Sequence, residues 1–174
     1  MTKIKVKIKG ISPLIMHKFV SSAGTSSRGK KVYIPSEEAE KVAYRNDDGK
    51  LVLPTTHFKA AMTKAATEFT AKGKKTYKDF IKSGLMFDEI ETILDQQEYK
   101  VYTCPVVIAR SRIERSRPRI DKWSCSFTME ITDETWLNQS IVREILEAAG
   151  KYKGVGDNRP EFGRFEIAEF TKLD

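Results

Sequence analysis

From Trp123 to Ile131 the chain alternates without a break. Trp123, Cys125, Phe127, Met129 and Ile131 are apolar, and Ser124, Ser126, Thr128 and Glu130 between them are polar. Successive side chains of a strand point to opposite faces, so this pattern predicts a strand with one face in a core. Residues 3–9 repeat it as Lys-Ile-Lys-Val-Lys-Ile-Lys, with Ile4, Val6 and Ile8 directed inwards and the lysines outwards. The lysine face would track phosphates or keep a sheet face from aggregating.

Two such strands need a cover, and two stripes at helical spacing supply it. Phe58, Ala61, Met62, Ala65, Ala66 and Phe69 follow Pro54-Thr55, and Ile141, Val142, Ile145, Leu146 and Ala149 precede Gly150. Tyr99–Ile108, rich in aromatic and β-branched residues, and Phe162–Phe170 read as further strands. The strong elements then run strand, helix, strand, strand, helix, strand. That order predicts an α+β, ferredoxin-like (RRM-type) antiparallel sheet with two main helices on one face.

Weaker signals fill the gaps. A flexible loop is expected near 15–31, a short helix after Ser36, and a hairpin about Asp47-Asp48-Gly49. Another short helix is expected over Thr76–Ser83, while Leu85–Gln97 carries no assignable pattern. Residues 1–174 are expected to form a single domain without internal repeats.

Charge singles out the stretch before the alternating strand. Arg110, Arg112, Arg115, Arg117 and Arg119 stand against one acid, Glu114, giving +4 of the formal +7 carried by the chain. Pro118 cannot donate to a ladder, so a protruding basic finger is expected near 109–122. Guanidinium groups hold phosphates and stack on bases, which points to nucleic acid. A solvated basic hairpin, or one meeting an acidic protein partner in an assembly or inhibitory role, would look the same. The start, MTKIKVKIKG, does not resemble a signal peptide, and no apolar run is long enough for a membrane span. Cys104 and Cys125 read as thiols in a reducing cytoplasm, or as neighbours on adjacent strands.

Three stretches together resemble one family. IKVKIKGISPLIM is a strand followed by Gly, Ser and Pro; LVLPTTHFKAAMTKAA is a short strand and hydroxyl-rich turn opening a helix; GVGDNRPEFGRFEI is a glycine-rich loop before a final strand. They are similar to the RAMP superfamily, the RRM-like proteins that include the backbone subunits of CRISPR effector complexes. Thr55-Thr56-His57 stand where that family usually has glycine and serines, and Lys59 matches its basic position. The resemblance extends over the whole chain, and the arginine finger stands where those subunits carry a thumb hairpin. It implies binding along single-stranded nucleic acid, RNA or single-stranded DNA, with copies associating along the strand into a filament. The chain would serve as a subunit of such a complex or as a stand-alone or virus-encoded relative.

The residues expected to hold nucleic acid are Lys18, His57, Lys59, the five arginines of the finger, Lys122, Arg159 and Arg164. Trp123 and Phe162 are expected to stack on bases. Gly154 and Gly156 would bring backbone N–H groups to a phosphate, or only turn the chain. No enzyme activity is expected; His17 and His57 are the candidates for an RNA endonuclease, and Asp157 and Asp121 for an aspartate-dependent one. Neither cofactor nor metal is expected, because the two cysteines and two histidines lack zinc-site spacing.

Overall fold

The computed structural model describes residues 1–21 and 32–173. In chain order the strands are β1 (Thr2–Gly10), β2 (Leu14–Ile15), β3 (Val52–Pro54), β4 (Thr70–Lys72), β5 (Lys75–Thr76), β6 (Leu85–Phe87), β7 (Glu91–Ile93), β8 (Lys100–Ile108), β9 (Ser111–Ile120), β10 (Ser124–Ile131) and β11 (Phe165–Leu173). The helices are α1 (Pro35–Lys41), α2 (Thr55–Ala65), α3 (Lys78–Gly84) and α4 (Gln139–Ala148). The loop expected over 15–31 lies for residues 22–31 outside the described residues.

The main sheet has the order β11-β1-β10-β6, all antiparallel. Its register follows from the alternation. Ile4 faces Met129, Val6 faces Phe127 and Ile8 faces Cys125, so the two apolar rows coincide. All six are fully or almost fully buried, and each of the larger ones stabilises the fold by about 1.5–3 kcal/mol. A slip of one residue would turn both rows towards water.

The helices α2 and α4 cover that row. The Phe58 ring of α2 lies 4.7 Å from Phe127 and 5.6 Å from Phe165. Val142, Ile145 and Leu146 of α4 are buried, and the Asn138 side chain caps the helix by accepting from the Ile141 N–H at 3.0 Å. This is the α+β, ferredoxin-like arrangement, with two main helices on one face.

The lysine face is balanced by acids. Lys7 stands opposite Glu169, Lys9 opposite Glu166 and Lys3 opposite Glu130, and Lys3 also pairs with Asp88 at 2.8 Å. Mixed charge of this kind suits a solvated face better than a phosphate track.

Two expectations are corrected. Tyr99–Ile108 is not the second strand of the main sheet; that place belongs to β6, which pairs through Leu85, Met86 and Phe87 only. Three residues are too few for a periodic signal. β8 instead pairs along its whole length with β9, and β2 flanks β9 in a separate three-stranded sheet. The arginines therefore lie mostly on β9, one strand of a basic hairpin, in keeping with the finger expected near 109–122. Cys104 on β8 and Cys125 on β10 belong to different sheets, and both are free thiols.

Candidate nucleic-acid interface

The finger is the β8–β9 hairpin, closed by Ala109-Arg110, both with positive φ (47° and 68°). A two-residue hairpin turn with positive φ at both positions matches the twist of the strands but strains residues with a Cβ. Alternation places Arg115, Arg117 and Arg119 on one face of β9 and Arg112 on the other.

Each of the three aligned arginines meets an acid. Arg115 Nη1 donates to Glu38 Oε1 of α1 at 2.8 Å, and Arg119 Nε donates to Asp121 Oδ1 at 2.7 Å. Arg117 Nη1 lies 2.8 Å from Asp157 Oδ2 of the glycine-rich loop. That contact is out of line with an N–H bond, so it is coulombic, and both Nη1 and Nε of Arg117 are buried without a hydrogen-bond partner. Arg117 is only 7% exposed. The free cations of the finger are thus Arg110 and Arg112, exposed at the tip and without an acid partner among the described residues.

The glycine-rich loop has a structural task. A Cβ on Gly163 would lie 1.7 Å from the Val155 carbonyl oxygen, and one on Gly156 would lie 2.5 Å from the Ile15 carbonyl oxygen. The loop therefore lies flat on β2 because it carries glycine there. Several of its N–H groups are used within the chain: Gly154 donates to Ala149, Asp157 to Ile15 and Gly163 to Pro13, at 2.8–2.9 Å. The expected phosphate cradle of backbone N–H groups at Gly154 is not formed.

Three further expectations are revised by burial. Trp123 is 3% exposed and donates its indole N–H to the Ser12 carbonyl at 2.9 Å, which leaves no ring face for a base. The Lys59 ammonium donates to the Leu85 carbonyl and is half-buried, joining α2 to β6; burial lowers its pKa. Phe162 is partly buried with its ring 5.8 Å from that of Tyr102, and the Arg119 guanidinium lies over the same Tyr102 ring, 5.8 Å from its centroid.

The structure does bring several of the expected residues together. His17, Lys18, Arg115 and Arg117 line a cleft of about 420 Å³ that reaches Val106 and Ile108 on the hairpin. His17 is shared with a second cleft of about 240 Å³, which also holds Tyr44, His57, Gly156, Asp157 and Arg159. The two clefts share His17, and together they form the groove referred to below, between the hairpin and Arg159. Lys122 and Trp123 border a different cleft, with Asp95 and Asp121, and Arg164 lies apart from the groove.

Electrostatics inside the groove is distinctive. Burial, and after it the positive charge of Arg159, lowers the His57 pKa below the usual histidine value. His57 Nδ1 is buried without a hydrogen-bond partner, and the ring meets Tyr44 edge-on at 5.5 Å. Burial, followed by the charge of Asp157, raises the Tyr44 pKa. Outside the groove, Asp121 is held low chiefly by the hydrogen bond from Lys100, with Arg119 adding to it.

Sequence reasoning missed Tyr44 and the acids Glu38 and Asp157 as partners of arginine. Glu38 was legible only as a helix-dipole residue. Nothing local signals that it reaches a strand so distant in the chain.

No protein-family profile matches the chain, and no curated protein is similar to it in sequence. Among solved structures, it is similar to a chain in the cryo-EM structure of Type III-B Cmr-beta bound to cognate target RNA. The TM-score is 0.57 at 11% identity, over 99% of this chain and 61% of the other. This protein therefore spans less than two thirds of the length of that chain, and what the two share is the fold.

Proposed function

We infer that the protein binds single-stranded nucleic acid independently of sequence, RNA in preference to DNA, as a RAMP-type backbone protein acting in several copies. The observation that carries this reading is the groove from the hairpin through His17 and Lys18 to Arg159, whose exposed cations Lys18 and Arg159 have no acid partner among the described residues. Arg110 and Arg112 extend the positive strip at the finger tip. Cations so placed contact phosphates, which carry no sequence information. The likeness in fold to a chain of an RNA-bound Cmr complex supports RNA as the ligand.

The test is binding of labelled single-stranded RNA and DNA of equal length at two salt concentrations. Each phosphate contact on a single strand contributes about 0.7 to the slope of log K against log salt. Arg110→Ala with Arg112→Ala should weaken binding and reduce that slope by about 1.4. No binding of either strand by the wild type would overturn the reading and favour an acidic protein partner.

A second reading is RNA cleavage in the same groove. His17 and His57 line one cleft, and the lowered pKa of His57 favours the neutral imidazole that a general base requires. Loss of cleavage with retained binding in His57→Ala would support it; a wild type that leaves RNA intact would exclude it.

A further inference from the structure

We propose that in the ligand-free protein Asp157 occupies the place of a nucleic-acid phosphate on Arg117, and that binding exchanges one anion for the other. The inference rests on the single-strand reading above and adds to it a specific anchor and an internal competitor.

A guanidinium stays charged at any ordinary pH, so burying it is costly unless its donors are satisfied. Arg117 is buried at the base of the finger, its side chain 9% exposed, yet neither Nε nor Nη1 makes a hydrogen bond. Its one ion-pair partner among the described residues, Asp157, presents a single oxygen, Oδ2, 2.8 Å from Nη1 and out of line. A fork that can take two oxygens side by side is thus left half-used. A phosphate would supply two oxygens in the geometry that the fork fits.

The ligand has a way in. Arg117 lines the cleft with His17 and Lys18, and the Lys18 ammonium has no acid partner among the described residues. Asp157 has a way out. Its side chain is 36% exposed, and its backbone is fixed independently by the N–H donated to Ile15 at 2.8 Å. A rotation about the side-chain bonds would swing the carboxylate into the neighbouring cleft beside His57 and Arg159, which it already borders. The loop itself need not move.

The contact then acts as a built-in competitor. It keeps the buried charge paired when no strand is bound, and it subtracts from affinity when one is. Removing the carboxylate should tighten binding of single-stranded RNA by about tenfold, the scale of one close, partly buried charge contact.

The experiment measures single-stranded RNA affinity at one fixed salt concentration for wild type, Asp157→Asn, Glu161→Gln and Arg117→Lys, and for Asp157→Asn combined with Arg117→Lys. Glu161 is an exposed acid of the same loop that forms no ion pair among the described residues, so Glu161→Gln reports the general effect of losing one negative charge. The expected result is a gain of about tenfold for Asp157→Asn and of less than threefold for Glu161→Gln. The larger gain should disappear in the Arg117→Lys background. Asp157→Ser replaces Asp157→Asn if the latter does not fold. Equal gains for the two acids, no gain, or a gain that survives Arg117→Lys would overturn the inference while leaving the binding reading in place. No RNA binding by wild type or Asp157→Asn would overturn both.

Discussion

Arg115 and Glu38 brace the finger against α1: the guanidinium donates to one carboxylate oxygen at 2.8 Å, and the other oxygen accepts the Ser116 backbone N–H at 2.7 Å. Burial alone would raise the Glu38 pKa, but the hydrogen bonds from Arg115, Ser116 and Tyr33 outweigh it and hold the carboxyl below its usual value. A carboxyl depressed in the folded state stabilises the fold above the unfolded value near 4.5. That stabilisation is lost as pH falls through the folded value. Glu38→Gln should therefore lower stability at pH 7 and make the acid side of the stability profile shallower, as measured by denaturant midpoints between pH 7 and pH 3.

The turn at Ala109-Arg110 holds two non-glycine residues at positive φ. Relief of that strain by Arg110→Gly should raise stability by about 0.5–1 kcal/mol. The same change removes a tip cation and should weaken RNA binding. Opposite signs in a denaturation curve and a binding isotherm are the expected pair of results; a gain in both would show that Arg110 does not meet the ligand.

Trp123 serves the core. Trp123→Ala should cost about 3–5 kcal/mol. Trp123→Phe, which keeps most of the packing and loses the hydrogen bond to Ser12, should fold and bind RNA with wild-type affinity. A selective loss of binding in Trp123→Phe would restore the ring as a base platform.

His57 has its folded pKa below the ordinary 6.5. As pH falls past 6.5, the unfolded chain takes up the proton first, so stability declines until the folded value is reached and then levels off. His57→Asn should flatten stability between pH 7.5 and pH 5 in urea titrations. An unchanged profile would show that the imidazole titrates normally.

The legible part of the fold was the part that repeats. The alternation in residues 3–9 and 123–131 specified β1, β10 and their shared apolar face, and the stripes at Phe58 and Ile145 specified the helices above it. The sheet to which β8 belongs was illegible, because aromatic and β-branched content says that a segment is extended, not which strand it pairs with. Arginine density located the finger but overstated its free charge. In the ligand-free protein Arg115, Arg117 and Arg119 face Glu38, Asp157 and Asp121; Asp121 is a near neighbour in sequence, but Glu38 and Asp157 are brought to their arginines only by the tertiary structure. The glycine-rich loop was ambiguous for a related reason: glycine serves a close approach of backbone to ligand or of backbone to backbone, and here the neighbour is Ile15 or Val155.

The three arginine–carboxylate contacts at the root of the hairpin also give ionic strength two points of attack. On the proposed function, added salt would compete with nucleic acid for the tip, and it would also loosen the Arg115–Glu38 brace that ties the finger to α1. A salt slope measured on this protein would then combine counterions released from the strand with a change in the posture of the hairpin. Clamping that posture, for example with a disulfide between β9 and α1, would separate the electrostatic contribution from the mechanical one.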